Sequence, residues 1–116
     1  MTTSEIATVL AWHDALNASD LDTLVALSSD DIDIGDAHGA AQGHAALRRW
    51  AAAQTTLTTT AELGRMYLHD GIVVAELNDA ALAFRVVRDH VTSVFRHDDL
   101  ASALDATELN EADLVT

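Results

Sequence analysis

The hydrophobic pattern of this chain changes near Thr55, and that change restricts the possible fold more than any other feature. Before it, apolar residues such as Val9 and Leu16 recur at helical spacing. After it, apolar and polar residues alternate between turn signals. Helices grouped early and strands grouped late are typical of an α+β fold. Because 116 residues suit one core, we expect a single domain over residues 1–108, followed by a frayed acidic tail at 109–116.

Three helices are predicted in the first half of the chain. The segment Asn17–Asp20 ends the first helix and supplies the cap of a second one, which carries the apolar residues of Leu21–Leu27. A third helix is predicted over His44–Ala53, with Trp50 on its inner side. The first and second helices are joined by this short link at Asn17–Asp20, so we expect them to pack together.

The strands are predicted from alternation and from turn residues. Asp31–Ile34 alternates and predicts a short strand, whereas the glycine-rich Gly35–Gly43 is expected to be a loop. Asp70–Gly71 is a strong hairpin signal, and Asp98 or Asp99 is expected to cap a short final helix. Four further strands, forming an antiparallel meander, are predicted at Thr56–Leu68, Ile72–Leu77, Ala81–Val87 and Val91–His97.

These elements combine into one expected architecture. The sheet is predicted to bend into a cone-shaped half-barrel of antiparallel strands, covered by the three N-terminal helices. A small apolar pocket is expected between sheet and helices. The other face of the sheet, which carries Leu, Val and Thr, is expected to pair two copies of the chain as a homodimer.

The charge of the chain excludes several classes of partner. The formal net charge is −13, and all six basic residues are Arg between Arg48 and Arg96. Nucleic acids and anionic membranes would be repelled, so neither is expected as a partner. The sequence has no Cys, no apolar run long enough to cross a bilayer and no basic N-terminal region, which predicts a cytoplasmic protein. Its lack of Lys and abundance of Ala suggest a bacterial source.

Several segments resemble the nuclear transport factor 2-like superfamily, which has a cystatin-like fold. They are Leu16–Asp22, Val25–Asp31, Gly43–Leu47, Phe84–Val86 and Val91–Leu100. The chain is most similar to the small bacterial SnoaL-like and ketosteroid-isomerase-like proteins. The resemblance implies the cone-shaped fold described above, but not one activity, because this fold carries isomerases, dehydratases, cyclases, epoxide hydrolases and binding proteins.

Asp36 is the first candidate catalytic residue. The resemblance places Asp36 at the position of the general base of ketosteroid isomerases, where a buried carboxylate accepts and transfers a proton. The alternative is a solvated loop Asp that forms a turn. The resemblance also places Trp12 and Leu82 where those isomerases use a Tyr and a protonated Asp as oxyanion donors. Leu has no donor, so steroid isomerase activity of that type is not expected.

Arg96 is the second candidate catalytic residue. The resemblance places it where limonene-epoxide-hydrolase-like relatives use an Asp, so their water-activating set is incomplete here. Arg96 can instead bind a carboxylate or enolate, pair with Asp36 across the cavity, or point outward into an ion pair.

No metal and no cofactor are expected. Asp36, His38 and His44 are close in sequence, but no His pair shows helical metal-site spacing. His13 lies on the apolar side of the first helix, as a core or cavity-edge residue. The residues expected to line the pocket, or to form the core that shares its walls, are Trp12, His13, Leu16, His38, Trp50, Leu82 and Phe84.

Two functions of different class follow from these residues. The first is a small-molecule binding protein that takes a flat apolar ligand. The second is an enzyme that transfers a proton on a small apolar carbonyl compound, with Asp36 as base and Arg96 as its electrophilic partner. A pure interaction module is a third, weaker reading of the sequence.

Overall fold

The computed structural model describes residues 2–36, 39–57, 64–76 and 80–115. Of residues 2–4, 36 and 53–57 it describes the backbone only. It contains four α-helices, one 3₁₀ turn and seven strands in the described residues. In chain order they are α1 (Thr2–Asn17), α2 (Leu21–Ala26), β1 (Ser28–Asp36), β2 (Gly39–Gln42), α3 (His44–Leu57), β3 (Met66–His69), β4 (Ile72–Glu76), β5 (Ala81–Val87), β6 (His90–His97), α4 (Leu100–Thr107), the 3₁₀ turn (Glu111–Asp113) and β7 (Leu114–Val115). No helix in the described part of the chain is long and apolar enough to span a membrane.

The strands form one open, curled sheet in the order β2-β1-β6-β5-β4-β3-β7. The α+β class and the bent sheet under the N-terminal helices are therefore confirmed. One pair departs from the expected antiparallel arrangement, because β1 and β6 run parallel. Parallel neighbours need a long connection, and here α3 and three strands of the meander provide it.

The sheet buries apolar side chains on both faces. On its inner face, α1 and α3 cover the strands with a core that includes Val9, Leu47 and Val94, all fully buried. On its outer face, α4 and the C-terminal segment cover a second, smaller cluster around Tyr67 and Val74. These inner and outer faces define the two surfaces on which a ligand can be held.

Local sequence chemistry accounts for several element boundaries. Asp70 and Gly71 adopt φ of 51° and 78°, and Arg88 and Asp89 adopt 52° and 64°. Two consecutive positive φ values match the two-residue turns that suit the twist of a hairpin. The predicted Asp70–Gly71 turn is confirmed, and Arg88–Asp89 forms a second turn of the same kind.

The predicted aspartate caps are also confirmed. The Asp99 carboxylate accepts a hydrogen bond from Ser102 N at 2.7 Å, and this bond holds the pKa of Asp99 below its usual value. Asp20 caps α2 in the same way through Thr23, whose hydroxyl donates at 2.7 Å and lowers the pKa of Asp20. A carboxylate at this position satisfies N–H groups that have no partner within the helix.

The predicted loop at Gly35–Gly43 is wrong over part of its length. Residues 39–42 form β2, which pairs with β1 from Asp33 opposite Gln42 to Asp36 opposite Gly39. The close approach of β1 and β2 explains why residue 35 is a glycine. A Cβ on Gly35 would collide with the carbonyl oxygen of Gly39 and lie 2.8 Å from Cα of Ala40.

The predicted strand at Thr56–Leu68 is also wrong at its start. Helix α3 continues to Leu57, and β3 begins only at Met66. Thr has low intrinsic helix propensity, but packing of α3 against the sheet, where Ala51 is fully buried, outweighs it. The predicted turn at Asn78–Asp79 lies outside the described residues.

The C-terminal segment, expected to fray, is instead packed on the outer face. Leu109 is buried beside Tyr67, and β7 pairs with β3 through Leu114 opposite Tyr67. Asn110 and Asp113 form a reciprocal capping box that starts the 3₁₀ turn. Two leucines and one cap therefore order a segment whose acidic composition suggests solvent exposure.

Candidate functional site

An aromatic cluster fills the inner face where the sequence predicts pocket-lining residues. The ring of Trp12 meets Phe84 edge-on at a centroid distance of 5.4 Å and lies 6.0 Å from Trp50. Trp12, Phe84, Leu16 and Leu82 all belong to the buried core. These side chains contact one another, so any ligand would meet this cluster at its margin.

The indole N–H of Trp12 already has a partner inside the protein. It donates to Oγ of Ser28 at 2.9 Å, and that hydroxyl donates in turn to the carbonyl oxygen of Leu24 at 2.8 Å. Trp12 therefore has no free donor for a developing oxyanion. Leu82, in the second position that the resemblance indicates, has no donor at all.

His13 is buried on the same side of α1, with only 7% of its surface exposed. Desolvation lowers the pKa of His13, and the neighbouring Asp14 charge offsets part of that shift. Its Nδ1 lies 3.5 Å from Nδ2 of Asn17. The neutral imidazole is the favoured form in this environment, because burial disfavours a charge.

A pocket with a volume of about 410 Å³ opens between α3 and the β1–β2 hairpin. We call it the hairpin pocket. Small and apolar side chains form most of its wall, and Arg49 and Trp50 contribute its polar groups. It is lined by Ile34, Gly35, Gly39, Ala40, Ala41, Ala46, Arg49 and Trp50.

The Nε1 atom of Trp50 is buried and has no hydrogen-bond partner in the part of the chain that is described. A buried donor without an acceptor costs about 1–3 kcal/mol. Trp50 thus borders the hairpin pocket and carries an unmet donor that lies buried beneath the pocket surface. Sequence reasoning found Trp50 but missed Arg49 and the β2 residues, although the glycines at 35 and 39 were the available signal for a close strand pairing.

Strand register brings the two candidate catalytic positions together. The parallel β1–β6 pairing runs through Ile34 opposite Val94 and Gly35 opposite Phe95. One residue further, the backbone positions of Asp36 and Arg96 are neighbours on adjacent strands. The side chain of Asp36 lies outside the described residues, and so does the whole of His38. Arg96 pairs in register with Leu82 of β5.

His44, the third member of the group Asp36, His38 and His44, contacts Asp30 and Ser28. Its Nε2 is 3.9 Å from Oδ1 of Asp30 and 3.4 Å from the carbonyl oxygen of Ser28. Within the described ranges, no group of three His, Asp or Glu side chains is placed to share a metal ion.

A second and larger recess lies on the outer face of the sheet, beside α4. Its volume is about 560 Å³. We call it the α4 groove. Strands β4–β6 form its floor with Ile72, Ala83, Arg85, Ser93 and Phe95, and α4 forms one wall with Ser102, Ala106 and Thr107. Phe84 and the candidate catalytic residue Arg96 also line this recess, whereas Arg96 does not line the hairpin pocket. His97 and Asp98 lie at the end of β6 that leads into α4. Sequence reasoning assigned this face to a dimer and did not foresee a recess there.

Comparison with known proteins matches residues 9–102 to the SnoaL-like domain model. A search of curated protein sequences finds no match. Among solved structures, an NTF2-like protein from Burkholderia xenovorans is 20% identical with a TM-score of 0.68, over 92% of this chain and 98% of that one.

Two other solved structures are similar in fold. An LEH-like epoxide hydrolase from M. tuberculosis is 19% identical with a TM-score of 0.66, over 90% of this chain and 89% of that one. A cystatin fold protein from Novosphingobium aromaticivorans is 20% identical with a TM-score of 0.66, over 79% of this chain and 96% of that one. At these identities the likeness concerns the fold alone.

Proposed function

The chain belongs to the SnoaL-like domain family, and from that premise we propose that it binds a small, flat, apolar molecule in the hairpin pocket. The buried, unpartnered Nε1 of Trp50 carries this proposal. A ligand with an apolar body and one carbonyl oxygen would pack on the Ile34 and alanine side chains, and it would accept that hydrogen bond once the Trp50 ring turns its buried N–H toward the pocket. The volume of about 410 Å³ is within the usual range for small-molecule sites.

Binding without catalysis is the function that the inner-face chemistry favours. The Trp12 N–H already donates to Ser28, and the Leu82 side chain has no hydrogen-bond donor. The isomerase type of oxyanion stabilisation is therefore missing. His13 is buried and uncharged in its favoured form. An apolar pocket with a single unmet donor orients a ligand but does not polarise its carbonyl strongly.

The test uses 1-tetralone as probe and its parent hydrocarbon tetralin as control. The two Trp residues give two indole N–H signals in a ¹H–¹⁵N spectrum, assigned with Trp50→Phe. We expect 1-tetralone to shift the Trp50 indole signal saturably while the Trp12 signal stays close to its free position. Tetralin should shift it less, because it has no acceptor. No saturable shift of the Trp50 signal, or equal shifts for both compounds, would contradict the proposal.

A second candidate function is proton transfer on a carbonyl compound, of isomerase, cyclase or dehydratase type. The strand register that makes positions 36 and 96 neighbours favours it. In this reaction the Asp36 carboxylate takes a proton from the carbon next to the carbonyl, and the Arg96 guanidinium stabilises the enolate oxygen.

Hydrogen–deuterium exchange at the α-carbon of 1-tetralone in D₂O measures this step directly. Faster exchange with the wild-type chain than with Asp36→Asn supports the enzyme. Equal rates refute the enzyme and leave the binding proposal intact, because binding is read from the Trp50 signal.

A further inference from the structure

We propose that the α4 groove is a second binding site, specific for a small amphipathic carboxylate. The site lies on the opposite face of the sheet from the aromatic cluster, and it is independent of the hairpin pocket. Its ligand class is one carboxylate attached to a ring or short alkyl body. Three features of the groove lead to this class.

The first feature is an arginine without an acidic partner. Arg48 and Arg65 lie 3.8 and 3.3 Å from Asp22 and Glu76. Arg85 is exposed on the groove floor and has no ion pair with any described residue. Arg49 and Arg88 also have no ion pair among the described residues, so Arg85 is distinguished by its position on the groove floor. A guanidinium is always charged and offers a planar set of donors that matches a carboxylate.

The second feature is the apolar surface around that arginine. Arg85 lies in register between Ile72 and Ser93, and the next outward-facing pair along the sheet is Ala83 opposite Phe95. Ile72 and Phe95 are only partly buried, so the groove leaves apolar surface open to solvent. Side chains on one face at these positions are close neighbours. A ring attached to the carboxylate would therefore lie on Phe95 and Ala83.

The third feature is the polarity along the groove. Arg85 lies beside Ser93, whereas Asp98 follows His97 at the other end of the strand. Ser93 and His97 are four residues apart along β6, which corresponds to about 13 Å. The Asp98 end also carries Arg96, which already has an interaction partner, and the two ends are separated by about the length of a small extended ligand. The carboxylate is directed to the Arg85 end, since Asp98 offsets the charge of Arg96 at the other end.

The volume and the wall agree with a small molecule. At about 560 Å³ the groove is within the range of typical ligand sites. Helix α4 closes one side, where the exposed residues Ser102 and Ala106 line the groove. The Thr107 hydroxyl is already donated to the carbonyl oxygen of Ala103 at 2.8 Å. Arg85 and Arg96 are then the two guanidinium groups of the groove, and Arg85 is the one with no ion pair to a described residue.

The test measures binding of 4-phenylbutyrate to the full chain by ¹H–¹⁵N spectra, with 4-phenyl-1-butanol as the neutral control. We expect saturable shifts at Ser93, Phe95 and Ala106 for the carboxylate, and an affinity about tenfold lower for the alcohol. Arg85→Gln should weaken carboxylate binding about tenfold, and Arg85→Lys should retain part of it. Arg88→Gln, which removes the same charge from the nearby turn, should leave the affinity unchanged.

Three results would overturn the site. One is equal affinity of the carboxylate for Arg85→Gln and Arg88→Gln. A second is a set of shifts confined to the hairpin pocket, around Ala40 and Trp50. A third is a dimer in solution that covers Phe95 and that 4-phenylbutyrate does not displace, since a second copy would then occupy the groove.

Discussion

The indole nitrogen of Trp12 donates to Oγ of Ser28 at 2.9 Å, joining α1 to the first residue of β1 inside the core. This bond gives Trp12 a structural role, whereas the N–H of Trp50, whose ring lies 6.0 Å away beside the hairpin pocket, is buried with no acceptor among the described residues. The two tryptophans of one cluster therefore have different capacities to hold a ligand.

Ser28→Ala should destabilise the protein by about 1–3 kcal/mol, because it leaves the Trp12 N–H buried without an acceptor. Urea unfolding measures the change. Ser29→Ala is the matched control, since Oγ of Ser29 is buried with no partner among the described residues. Its removal should leave stability unchanged or raise it. A larger loss in Ser29→Ala than in Ser28→Ala would contradict the assigned bond.

Gly35→Ala should destabilise the β1–β2 hairpin by about 1–3 kcal/mol, because the new Cβ meets the backbone of Gly39 and Ala40. Gly39→Ala serves as control, since a Cβ there meets nothing within 4 Å. Gly39→Ala should be neutral or slightly stabilising through the unfolded state. Thermal unfolding of both variants compares them. Equal melting temperatures would show that the two strands do not approach as closely as described.

Protonation of His13 should contribute to acid destabilisation. Burial lowers its folded-state pKa below the unfolded value of 6.5, so below pH 6.5 the unfolded state binds more protons than the folded state. Stability therefore falls as pH decreases from 6.5 toward the folded-state pKa, by at most about 1.4 kcal/mol per pH unit for one group. The loss of stability therefore appears at acidic pH and not at alkaline pH.

The measurement compares urea unfolding of the wild type and His13→Leu at pH 8, 6.5 and 5.5. The free-energy difference between the two proteins should change in favour of His13→Leu as pH falls. Between pH 8 and pH 6.5 the difference should change less than between pH 6.5 and pH 5.5, because the unfolded His is mostly neutral at pH 8 and only half protonated at pH 6.5. A constant difference over the whole range would show that His13 is not buried.

Leu109→Ala should destabilise the protein by about 2–5 kcal/mol, because it leaves a cavity beside Tyr67 on the outer face. Glu111→Ala, two residues away and exposed, should change stability by less than about 0.5 kcal/mol. Circular dichroism at increasing temperature compares them. If both variants melt with the wild type, the C-terminal segment is frayed as its sequence suggests.

Much of the fold was predictable where a short sequence carries its own physical reason. The strand at Ala81–Val87 was predicted at its observed bounds, and the Asp70–Gly71 turn and the Asp99 cap follow from local backbone chemistry. The β2 strand was not predictable in this way. All four of its residues are exposed and its sequence does not alternate, so only pairing with β1 makes it a strand.

The candidate site was less predictable than the fold. The aromatic residues Trp12, Trp50 and Phe84 were identified from their helical and strand positions, but a pattern does not say whether such rings line a pocket or contact each other. The α4 groove depends on how α4 lies across β4–β6, which no local signal encodes. Arg85 was therefore overlooked, although it is one of only six basic residues.

By itself the sequence determined the order of the helices and of strands β1 and β3–β6, together with the Asp70–Gly71 turn and the aspartate caps. These depend on backbone preferences and hydrophobic period, which act over a few residues. Only the tertiary structure decided which indole N–H groups have a hydrogen-bond acceptor inside the protein. Trp12 meets Ser28 from 16 residues away, whereas Trp50 keeps a free N–H, because packing of α1 and α3 on the sheet sets those distances. The packing of helices on the sheet also sets the difference between its inner face, which holds the aromatic cluster, and its outer face, which holds the α4 groove.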